Sequence, residues 1–480
     1  MTAEALYQAL HARDRRFDGV FFVGVRSTMI YCRPVCRARR PHARNCTFFR
    51  TAAEAERSGY RPCLRCRPEL APGRSLTDAS SRLARAAYAR IAGGALDGRS
   101  LADVARELCV GERHLRRVVS AEFGASPVEL AQTQRLLLAK QLLTETDLPV
   151  SRVAFASGFA SLSRFNTLFR TRYRLSPTRL RRLGRSGADA GGTVMLRFEY
   201  RPPYDWEWLL GFLAARAIPG IESVEQDVYA RSLRCGPHAG WLRVRHAPRD
   251  GAALVVEVSD SLVPALLPVR SAVRRMFDLD AEPQTIAEHF ASDAILGPLV
   301  RRRPGLRLPG AADPFELAVR GVLGQQISVA AARTLAGRVH GDYGESIDAP
   351  AGIDRLPATA DRLAATDPAE LSELGMPLSR ARTIVLLAQS VARGGVRLTP
   401  TADIDAAMAS LRAVPGIGPW TAEYIAMRGH QWPDAFPAGD LGIRTALRGF
   451  SPAERAEAWR PWRAYAAIHL WASLADNQDG

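Results

Sequence analysis

Two closely spaced cysteine pairs place the strongest constraint on how the N-terminal part of this chain folds. Cys32 and Cys36 form the first pair, and Cys63 and Cys66 form the second. Their spacing suits four thiolate ligands around one tetrahedral zinc ion. A segment this short buries too little apolar surface to be stable unaided, and a bound metal supplies the missing free energy. The pattern therefore predicts a zinc-stabilised module, with four free buried thiols or a purely structural zinc as the alternatives.

The cysteine count and the lack of export signals indicate the compartment. The chain has seven cysteines, and an odd number favours metal ligands or reactive thiols over disulfides. No apolar run approaches the roughly eighteen residues that a membrane span needs, and the N-terminus lacks the pattern of a secretion signal. We therefore expect a protein of the reducing cytoplasm that binds zinc and no membrane.

The strongly basic composition predicts a polyanionic partner. The 480 residues carry a formal net charge of +16, and nearly all of the positive charge is arginine, because Lys140 is the only lysine. Such a balance is typical of proteins that bind DNA or RNA. A merely soluble basic protein is the alternative. The length allows roughly three to four domains.

A helical block with an internal repeat follows the cysteine-rich segment. The residues Phe-Gly-Ala-Ser-Pro at 123–127 are answered by Tyr-Arg-Leu-Ser-Pro at 173–177. Two copies of a helix-turn-helix unit explain this better than chance does, and a plain helical bundle with a basic face is the alternative. The candidates for reading a DNA major groove are Arg113 and His114 in the first copy and Ser161, Ser163, Arg164 and Asn166 in the second.

A glycine-rich linker separates a front half from a rear half of the chain. Beyond it, Val194 to Phe198 and Ala252 to Val258 predict strands, with a helix near Trp206 to Ala217 between them. The predicted fold is multidomain and mainly α with α+β parts. Its predicted domains are a zinc module (1–74), a double helix-turn-helix module (75–183), a linker (184–193), a mixed α/β module (194–302) and a helical module (303–480).

A tight glycine turn in the rear half joins two predicted helices at Pro415-Gly416-Ile417-Gly418. Glycines let the backbone run close to another chain, and the free N–H groups that open the second helix suit a phosphate. We therefore predict that Gly416 and Gly418 contact DNA. An ordinary helical corner is an equally good interpretation of the turn by itself.

The cysteine-rich segment closely resembles the methyl-accepting zinc domain of the Ada adaptive-response proteins. The matching stretches are Ile-Tyr-Cys-Arg-Pro-Val-Cys-Arg-Ala-Arg at 30–39 and Arg-Pro-Cys-Leu-Arg-Cys at 61–66. The resemblance implies that Cys32 takes a methyl group from a methylated DNA phosphate, with Cys36, Cys63 and Cys66 as the remaining zinc ligands. The repeated helices resemble the DNA-binding domain of AraC-type activators, which implies promoter DNA and RNA polymerase as partners.

The rear half resembles the AlkA-type 3-methyladenine DNA glycosylases of the helix-hairpin-helix superfamily. The matching stretches include Pro-Pro-Tyr-Asp-Trp at 202–206, Leu-Gly-Gln-Gln-Ile-Ser at 323–328 and the glycine turn. The resemblance implies that Asp440 is the catalytic carboxylate, and a helix N-cap is the other role that suits an aspartate there. It also implies an aromatic base-binding pocket, for which the candidates are Trp420, Trp471, Tyr424, Trp208 and Phe212. Core packing is the alternative for each of these rings.

Two positions refine this comparison. Trp420 stands where glycosylases with lyase activity have a lysine that forms a Schiff base, so we predict a monofunctional enzyme. Gln326 stands where an apolar wedge can fill the gap left by a flipped base, and Gln325 precedes it. Both glutamines are candidate DNA contacts.

The combined prediction is a bifunctional alkylation-response protein that binds double-stranded DNA. The front half senses and repairs methylphosphotriesters by a suicidal methyl transfer to Cys32 and activates transcription. The rear half excises alkylated bases such as 3-methyladenine. The alternatives are a transcription regulator whose catalytically inert glycosylase half only grips DNA, and a repair enzyme whose front half is only a zinc-stabilised DNA anchor.

Overall fold

The structure, a computed structural model, describes residues 1–72, 82–183, 192–248, 251–398 and 403–476. Unit 1 comprises Met1–Pro202, Ala247–Ser271 and Leu279–Ala281, and unit 2 comprises Pro203–His246, Ala272–Asp278 and Glu282–Gly480. Residues 184–191 of the predicted linker lie outside the described residues. None of the helices in the described part of the chain has the length and hydropathy of a membrane span.

The zinc module of unit 1 is built on a small sheet. Its elements are α1 (Ala3–Ala12), β1 (Phe22–Val25), β2 (Ile30–Cys32), β3 (Cys46–Phe49), α2 (Ala52–Arg57) and β4 (Arg61–Pro62), with strand order β3-β1-β2-β4. Strands β2 and β4 pair in parallel, and Tyr31 lies opposite Pro62. Because Cys32 and Cys63 each follow next in this register, the parallel pairing brings the two cysteine pairs to the same end of the sheet.

Helices α3 to α9 follow in unit 1 and confirm the predicted repeat. They are α3 (Arg82–Ala92), α4 (Leu101–Glu107), α5 (Glu112–Phe123), α6 (Pro127–Glu145), α7 (Val150–Ala156), α8 (Leu162–Tyr173) and α9 (Pro177–Leu183). The helices α5 and α8 end alike, at left-handed cap residues Gly124 (φ 67°) and Arg174 (φ 53°). Leu115 of α5 and Phe165 of α8 are fully buried. Each copy therefore packs one face of its second helix inward and leaves the opposite face exposed.

Buried polar groups join the zinc module to α6. Glu56 of α2 accepts hydrogen bonds from Tyr31 Oη at 3.0 Å and from Thr133 Oγ1 of α6 at 2.9 Å. Lys140 of α6 is buried and forms an ion pair with buried Glu69. These contacts hold the zinc module against the helices, and they engage the only lysine of the chain.

The rear half of the chain contains the remaining strands and helices. The strands are β5 (Thr193–Glu199), β6 (Glu222–Glu225), β7 (Val228–Cys235), β8 (His238–His246) and β9 (Ala253–Ser259). The helices are α10 (Trp206–Ala214), α11 (Leu266–Met276), α12 (Pro283–Phe290), α13 (Leu296–Arg302), α14 (Pro314–Leu323), α15 (Val329–Tyr343), α16 (Ala360–Ala364), α17 (Pro368–Glu373), α18 (Leu378–Ala392), α19 (Ile404–Arg412), α20 (Pro419–Arg428), α21 (Leu441–Ala446), α22 (Pro452–Ala456) and α23 (Arg463–Asp476). This architecture confirms the predicted multidomain, mainly helical fold with mixed α and β parts.

The strands of the rear half belong to different units. In unit 1, β5 and β9 form the antiparallel pair that the sequence predicts. In unit 2, β6, β7 and β8 form an antiparallel meander that the sequence analysis did not predict. Arg231 in β7 is buried and pairs with Glu316, and such a charged residue interrupts the alternation by which a strand is recognised.

A buried ion network links the zinc module to β5 within unit 1. The Arg33 guanidinium group is 3% exposed and binds both Asp18 of the zinc module and Glu199 at the end of β5. Nearby, Arg201 donates from Nε to the Asp18 carbonyl oxygen at 3.0 Å. Residues of the front module and of the first rear strand therefore share one set of buried charges.

Candidate functional site

The four predicted zinc ligands lie together. The sulfur atoms of Cys32, Cys36, Cys63 and Cys66 are all within 4.8 Å of one another. A tetrahedral zinc ion with Zn–S bonds of about 2.3 Å places its sulfurs about 3.8 Å apart, which is compatible with this compact arrangement. Cys36 and Cys63 are buried residues, whereas Cys32 and Cys66 are of intermediate exposure as whole residues.

The thiols of this cluster hydrogen-bond to one another, so the pKa of each thiol depends on its neighbours. Hydrogen bonding with Cys32 lowers the pKa of Cys36 to about 7, and hydrogen bonding with Cys36 raises the pKa of Cys32. A bound zinc ion would replace these hydrogen bonds, because it holds all four sulfurs as thiolates. The backbone N–H groups of Arg33 and Arg65 lie 3.4 Å from the sulfurs of Cys66 and Cys63 and help to compensate the negative charge that results.

Basic residues surround the cluster, but they are not all available to DNA. Arg33 is buried in the ion network described above, so it does not reach a phosphate. The exposed arginines of the zinc module are more suitable, and those closest in sequence to the cluster are Arg37, Arg39, Arg40, Arg44 and Arg65.

The candidate DNA-reading residues lie on the second helix of each helix-turn-helix copy. Arg113, His114, Ser163 and Arg164 are exposed there, and Asn166 is half-buried. Ser161 has a further role, because its hydroxyl oxygen accepts a hydrogen bond from the Arg164 backbone N–H at 3.1 Å and caps α8. Its contact with DNA remains a prediction, as do the other assignments on these helices.

The predicted catalytic carboxylate lies between two predicted pocket tryptophans in a cleft of unit 2. The cleft has a volume of about 1300 Å³. Trp420 Nε1 donates to Asp440 Oδ2 at 3.0 Å, and Trp471 Nε1 donates to Asp440 Oδ1 at 2.9 Å. Each carboxylate oxygen therefore accepts one indole N–H, which fixes the orientation of the carboxylate at the cleft.

Asp440 also caps a helix, so its two predicted roles are compatible. Its Oδ1 atom accepts a hydrogen bond from the Ile443 backbone N–H at 3.1 Å, at the start of α21. Hydrogen bonds to an ionised acceptor are stronger than neutral ones. Three N–H donors from separate parts of unit 2 thus hold one carboxylate.

The aromatic candidates form stacked pairs at the cleft. The rings of Trp420 and Tyr424 are 5.4 Å apart and inclined by 13°, and those of Phe212 and Trp471 are 6.4 Å apart and inclined by 19°. All four rings line the cleft. Trp208 packs on Phe212 at 5.3 Å but does not belong to the cleft wall, so it supports Phe212 from outside the cleft.

Guanidinium groups that the sequence analysis did not single out surround Tyr424. Arg428 donates a hydrogen bond to its phenol oxygen. Burial raises the pKa of Tyr424, but the positive charges of Arg428, Arg216 and Arg320 outweigh burial, so that the pKa lies below its ordinary value. Arginine is so frequent in this chain that no sequence signal distinguished these three side chains from the others.

The glycine turn between α19 and α20 borders the same cleft. Gly416 has a φ of 91°, and a Cβ atom there would lie 2.0 Å from Thr383 Oγ1. Gly418 has a φ of −84° and begins α20, and a Cβ atom there would meet nothing within 4 Å. The turn therefore requires glycine at its first glycine position and leaves open space at the second.

The two candidate glutamines have different environments. Gln325 Nε2 donates to the Gly416 carbonyl oxygen at 3.0 Å and to Thr421 Oγ1 at 2.9 Å, and Arg380 donates to its carbonyl oxygen at 2.6 Å. Gln326 is exposed at the cleft with a φ of 57°. Gln325 thus ties its loop to the glycine turn, and Gln326 is the one of the two that remains accessible.

Comparisons with known protein families match four regions of the chain. Residues 5–69 match the metal binding domain of Ada, and residues 104–183 match a helix-turn-helix domain. Residues 195–313 match the AlkA N-terminal domain, and residues 319–459 match the HhH-GPD superfamily of base excision DNA repair proteins. The match to a metal-binding domain, together with the cysteine cluster, confirms zinc as the cofactor.

Individual relatives match the whole chain or one half of it. A probable bifunctional transcriptional activator/DNA repair enzyme AlkA of Mycobacterium tuberculosis is 40% identical over 98% of this chain and 96% of its own length. DNA-3-methyladenine glycosylase 2 of Escherichia coli is 42% identical over 58% of this chain and 96% of its own length. The solved structure of a 3-methyladenine DNA-glycosylase from Archaeoglobus fulgidus covers 58% of this chain and 97% of its own, with a TM-score of 0.50 and 22% identity, so it supports the fold alone.

Proposed function

Since the chain belongs to the family of bifunctional transcriptional activator/DNA repair enzymes, we propose that its cleft excises alkylated bases and that its zinc cluster senses methylated DNA phosphates. The protein is a transcriptional activator and a DNA-3-methyladenine glycosylase, and DNA is its partner. The placement of Asp440 between Trp420 and Trp471 carries the proposal for the cleft, because a helix cap needs no indole donors whereas this carboxylate has two.

The proposed task of Asp440 is to stabilise positive charge on the sugar. When the bond between the sugar and the damaged base breaks, positive charge develops at C1′ and the ring oxygen of the deoxyribose. A fixed carboxylate beside that charge lowers the barrier because it needs no reorganisation at the moment of reaction. The same carboxylate can accept a hydrogen bond from the water that attacks C1′.

The stacked rings form the proposed base pocket. A glycosylase must swing its target out of the DNA helix before it can act. Alkylated purines such as 3-methyladenine carry a positive charge, and the faces of electron-rich rings attract cations by about 0.5 to 2 kcal/mol. Trp420, Tyr424, Phe212 and Trp471 offer such faces at the cleft, and Trp208 holds Phe212 in place.

The loops at the rim of the cleft provide the proposed grip on DNA. The backbone N–H groups of Gly418, Trp420 and Thr421 at the start of α20 suit a backbone phosphate, whereas Pro419 has no N–H group to offer. Gln326 can occupy the space vacated by the flipped base, where its amide can hydrogen-bond the base left without a partner. Gln325 supports both elements, because it binds the carbonyl oxygen of Gly416 and carries Gln326 next to it.

Hydrolysis without strand cleavage is the proposed outcome of excision. A lyase reaction needs an amine that forms a Schiff base with the sugar. The only lysine, Lys140, is buried in unit 1 and paired with Glu69. The expected product is therefore an intact strand with an abasic site.

The zinc cluster supports a second proposed reaction, methyl transfer from a methylphosphotriester. The Cys32 thiolate attacks the methyl carbon, a C–S bond forms, and the C–O bond to the phosphate breaks. The phosphodiester leaves with the bonding electrons as its normal anion, so atoms and charge balance. Zinc held by the four cysteines keeps Cys32 deprotonated at neutral pH.

Transcriptional activation would follow from the charge lost in that step. A thioether replaces a thiolate, so the zinc centre carries one negative charge less and repels DNA less strongly. The exposed faces of α5 and α8 would then bind promoter DNA. We infer that RNA polymerase is the further partner on which such an activator acts.

Excision is tested by release of 3-methyladenine from alkylated DNA by the wild type and by Asp440→Asn. Loss of the carboxylate charge should reduce the single-turnover rate by about a hundredfold to a thousandfold, the range for one preorganised electrostatic contact. The matched control is Asp367→Asn, because Asp367 also caps a helix of unit 2 but lies away from the cleft. Equal rates for both variants would refute the assignment of Asp440.

A further inference from the structure

Two arginine side chains near the base pocket face aromatic rings in place of carboxylates. The Cζ atom of Arg216 lies 3.7 Å from the ring centre of Phe212, and that of Arg428 lies 5.1 Å from the same ring centre. Within the described residues neither guanidinium group has a carboxylate at ion-pair distance. The neighbouring Arg320, in contrast, pairs with Glu222 and Glu316.

Of these two, Arg216 is the one that lines the cleft. The hydrogen bond that it makes among the described residues goes from Nη1 to the Phe212 carbonyl oxygen, one turn earlier in the chain, at 3.2 Å. A guanidinium group has five N–H donors, so most of its donors are available to a molecule in the cleft. Arg428 is less available, because it donates to the Pro309 and Gly310 carbonyl oxygens and to the Tyr424 phenol.

Arg216 is half-buried, and it keeps its positive charge at neutral pH. Burial lowers its pKa to about 10, and the nearby positive charges of Arg428 and Arg320 act in the same direction. The lowered pKa of Tyr424 reports the same excess of positive charge beside the pocket. The pocket thus combines rings that attract cations with a fixed cation of its own.

This combination has opposite consequences for two kinds of damaged base. When the glycosidic bond breaks, both electrons go to the base, and water supplies a hydroxyl group to C1′ and a proton to the products. A base that is cationic in DNA leaves as a neutral molecule, and a neighbouring guanidinium group repels it before it leaves. A base that is neutral in DNA develops negative charge as it leaves, and a guanidinium group stabilises that charge.

We propose that Arg216 is a specificity-determining residue that favours neutral damaged bases with an exocyclic oxygen over cationic alkylpurines. Its guanidinium group donates a hydrogen bond to that oxygen and stabilises the charge that develops on the leaving base. The inference rests on the proposed base excision in this cleft. It adds that Arg216 favours neutral bases in the same cleft whose aromatic rings attract cationic bases.

The experiment compares two duplexes of identical sequence, one with hypoxanthine and one with 7-methylguanine at the same position. Single-turnover release is measured for the full-length wild type, Arg216→Gln and Arg216→Lys. The glutamine variant keeps a donor without charge and should release hypoxanthine about tenfold to a hundredfold more slowly, the range for a lost charged hydrogen bond. 7-Methylguanine has the same exocyclic oxygen but gains no negative charge as it leaves, so its release should fall by a smaller factor or increase, and the ratio of the two rates should drop. The lysine variant keeps the charge and should fall between wild type and Arg216→Gln on hypoxanthine.

Arg333→Gln is the matched control, since Arg333 also lines the cleft but is exposed. Removing a positive charge that favours neither base should change release of both bases by the same factor. An equal loss of both activities in Arg216→Gln would assign Arg216 a structural role and overturn the proposal, as would an unchanged rate ratio. A wild type that releases neither base would instead refute base excision itself, and the two failures are therefore distinguishable.

Discussion

The four cysteines of the zinc cluster come from one short stretch between Cys32 and Cys66, whereas the residues of the cleft extend from Phe212 to Leu474. A short stretch can bring its ligands together through two neighbouring strands. In the cleft, Asp440 contacts both indoles only because the start of α20, the start of α21 and α23 converge. Helix α10 adds Phe212 to the same wall. Sites built from local sequence can be recognised by spacing, and sites built from distant segments can be recognised only once the fold is known.

The proposed reactions of the two sites differ in the same direction. Cys32 would keep the methyl group that it removes, so each chain could act once. Asp440 would be unchanged after each hydrolysis, so the cleft could act repeatedly. The front half is thus suited to counting damage, and the rear half to clearing it.

The largest expected effect is a complete loss of methyl uptake without any change in base release. Cys32→Ser should abolish methyl uptake from DNA with methylphosphotriesters, because a serine hydroxyl is neither ionised nor comparably nucleophilic at neutral pH. Base release should stay at the wild-type rate, since every residue lining the cleft lies in unit 2. Mass spectrometry of the tryptic peptide measures the added methyl group.

Cys109→Ser is the control for that experiment, because Cys109 is exposed and outside the cluster. It should take up a methyl group as the wild type does. Methyl uptake by Cys32→Ser, or loss of base release in it, would mean that the two sites are not chemically independent.

A smaller effect is expected at the glycine turn, where two glycines of one motif can be compared. Gly416→Ala should destabilise unit 2 by about 1 to 3 kcal/mol, because the new methyl group meets Thr383 and the φ of 91° strains any other residue. Gly418→Ala should change stability by less than about 1 kcal/mol, since its Cβ position is open. Denaturant unfolding followed by tryptophan fluorescence measures both. Equal losses would show that φ and crowding do not determine the glycine requirement.

The effects of pH are small for any single pH unit, and they have opposite signs in the two units. Burial raises the pKa of Glu56 in unit 1 from 4.5 to about 7. The folded state therefore holds this proton more tightly, and the stability of unit 1 falls as pH rises from about 4.5 to 7. Burial lowers the pKa of His340 in unit 2 from 6.5 to about 4. The unfolded state therefore binds this proton more tightly, and the stability of unit 2 falls as pH falls from about 6.5 to 4.

Separate probes can follow these two trends. All eight tryptophans of the chain lie in unit 2, so their fluorescence reports that unit, and hydrogen exchange of α6 peptides reports unit 1. One proton contributes at most about 1.4 kcal/mol per pH unit. Glu56→Gln should flatten the dependence of unit 1 and leave that of unit 2 unchanged. An unaltered slope in unit 1 would exclude Glu56 as its source.

Sequence reasoning succeeded where the determining contacts are local. The cysteine spacing predicted the zinc cluster, and the offset between two Ser-Pro markers predicted the repeated helices. Resemblance to a known family also singled out Asp440, Trp420 and Trp471 as candidates, and the structure brings these three side chains together. The hydrogen bonds that link these three side chains depend on packing between distant helices and have no counterpart in residue spacing.

Sequence reasoning failed where burial reverses the usual meaning of a residue type. The basic composition suggested a polyanionic partner for the arginines in general, yet Arg33 is buried among carboxylates. Arg231 concealed strand β7, since a charged residue inside a strand is normally excluded. Arg216 looked like one more basic residue, and its position against Phe212 depends on how α10 meets the cleft. In each case the positive charge is stabilised by a carboxylate that lies far away in the sequence or by an aromatic ring.

The ion network of Arg33 bears on how such a fusion can be taken apart. A fragment that ends before β5 would keep Arg33 and Asp18 but lose Glu199, and it would uncover a guanidinium group that the full chain shields almost completely. Because Arg33 would still pair with Asp18, the cost should stay below the roughly 3 to 5 kcal/mol of leaving a buried charge without any partner. A transplant of the zinc module into another protein would therefore shield Arg33 better if it carried the first rear strand with it.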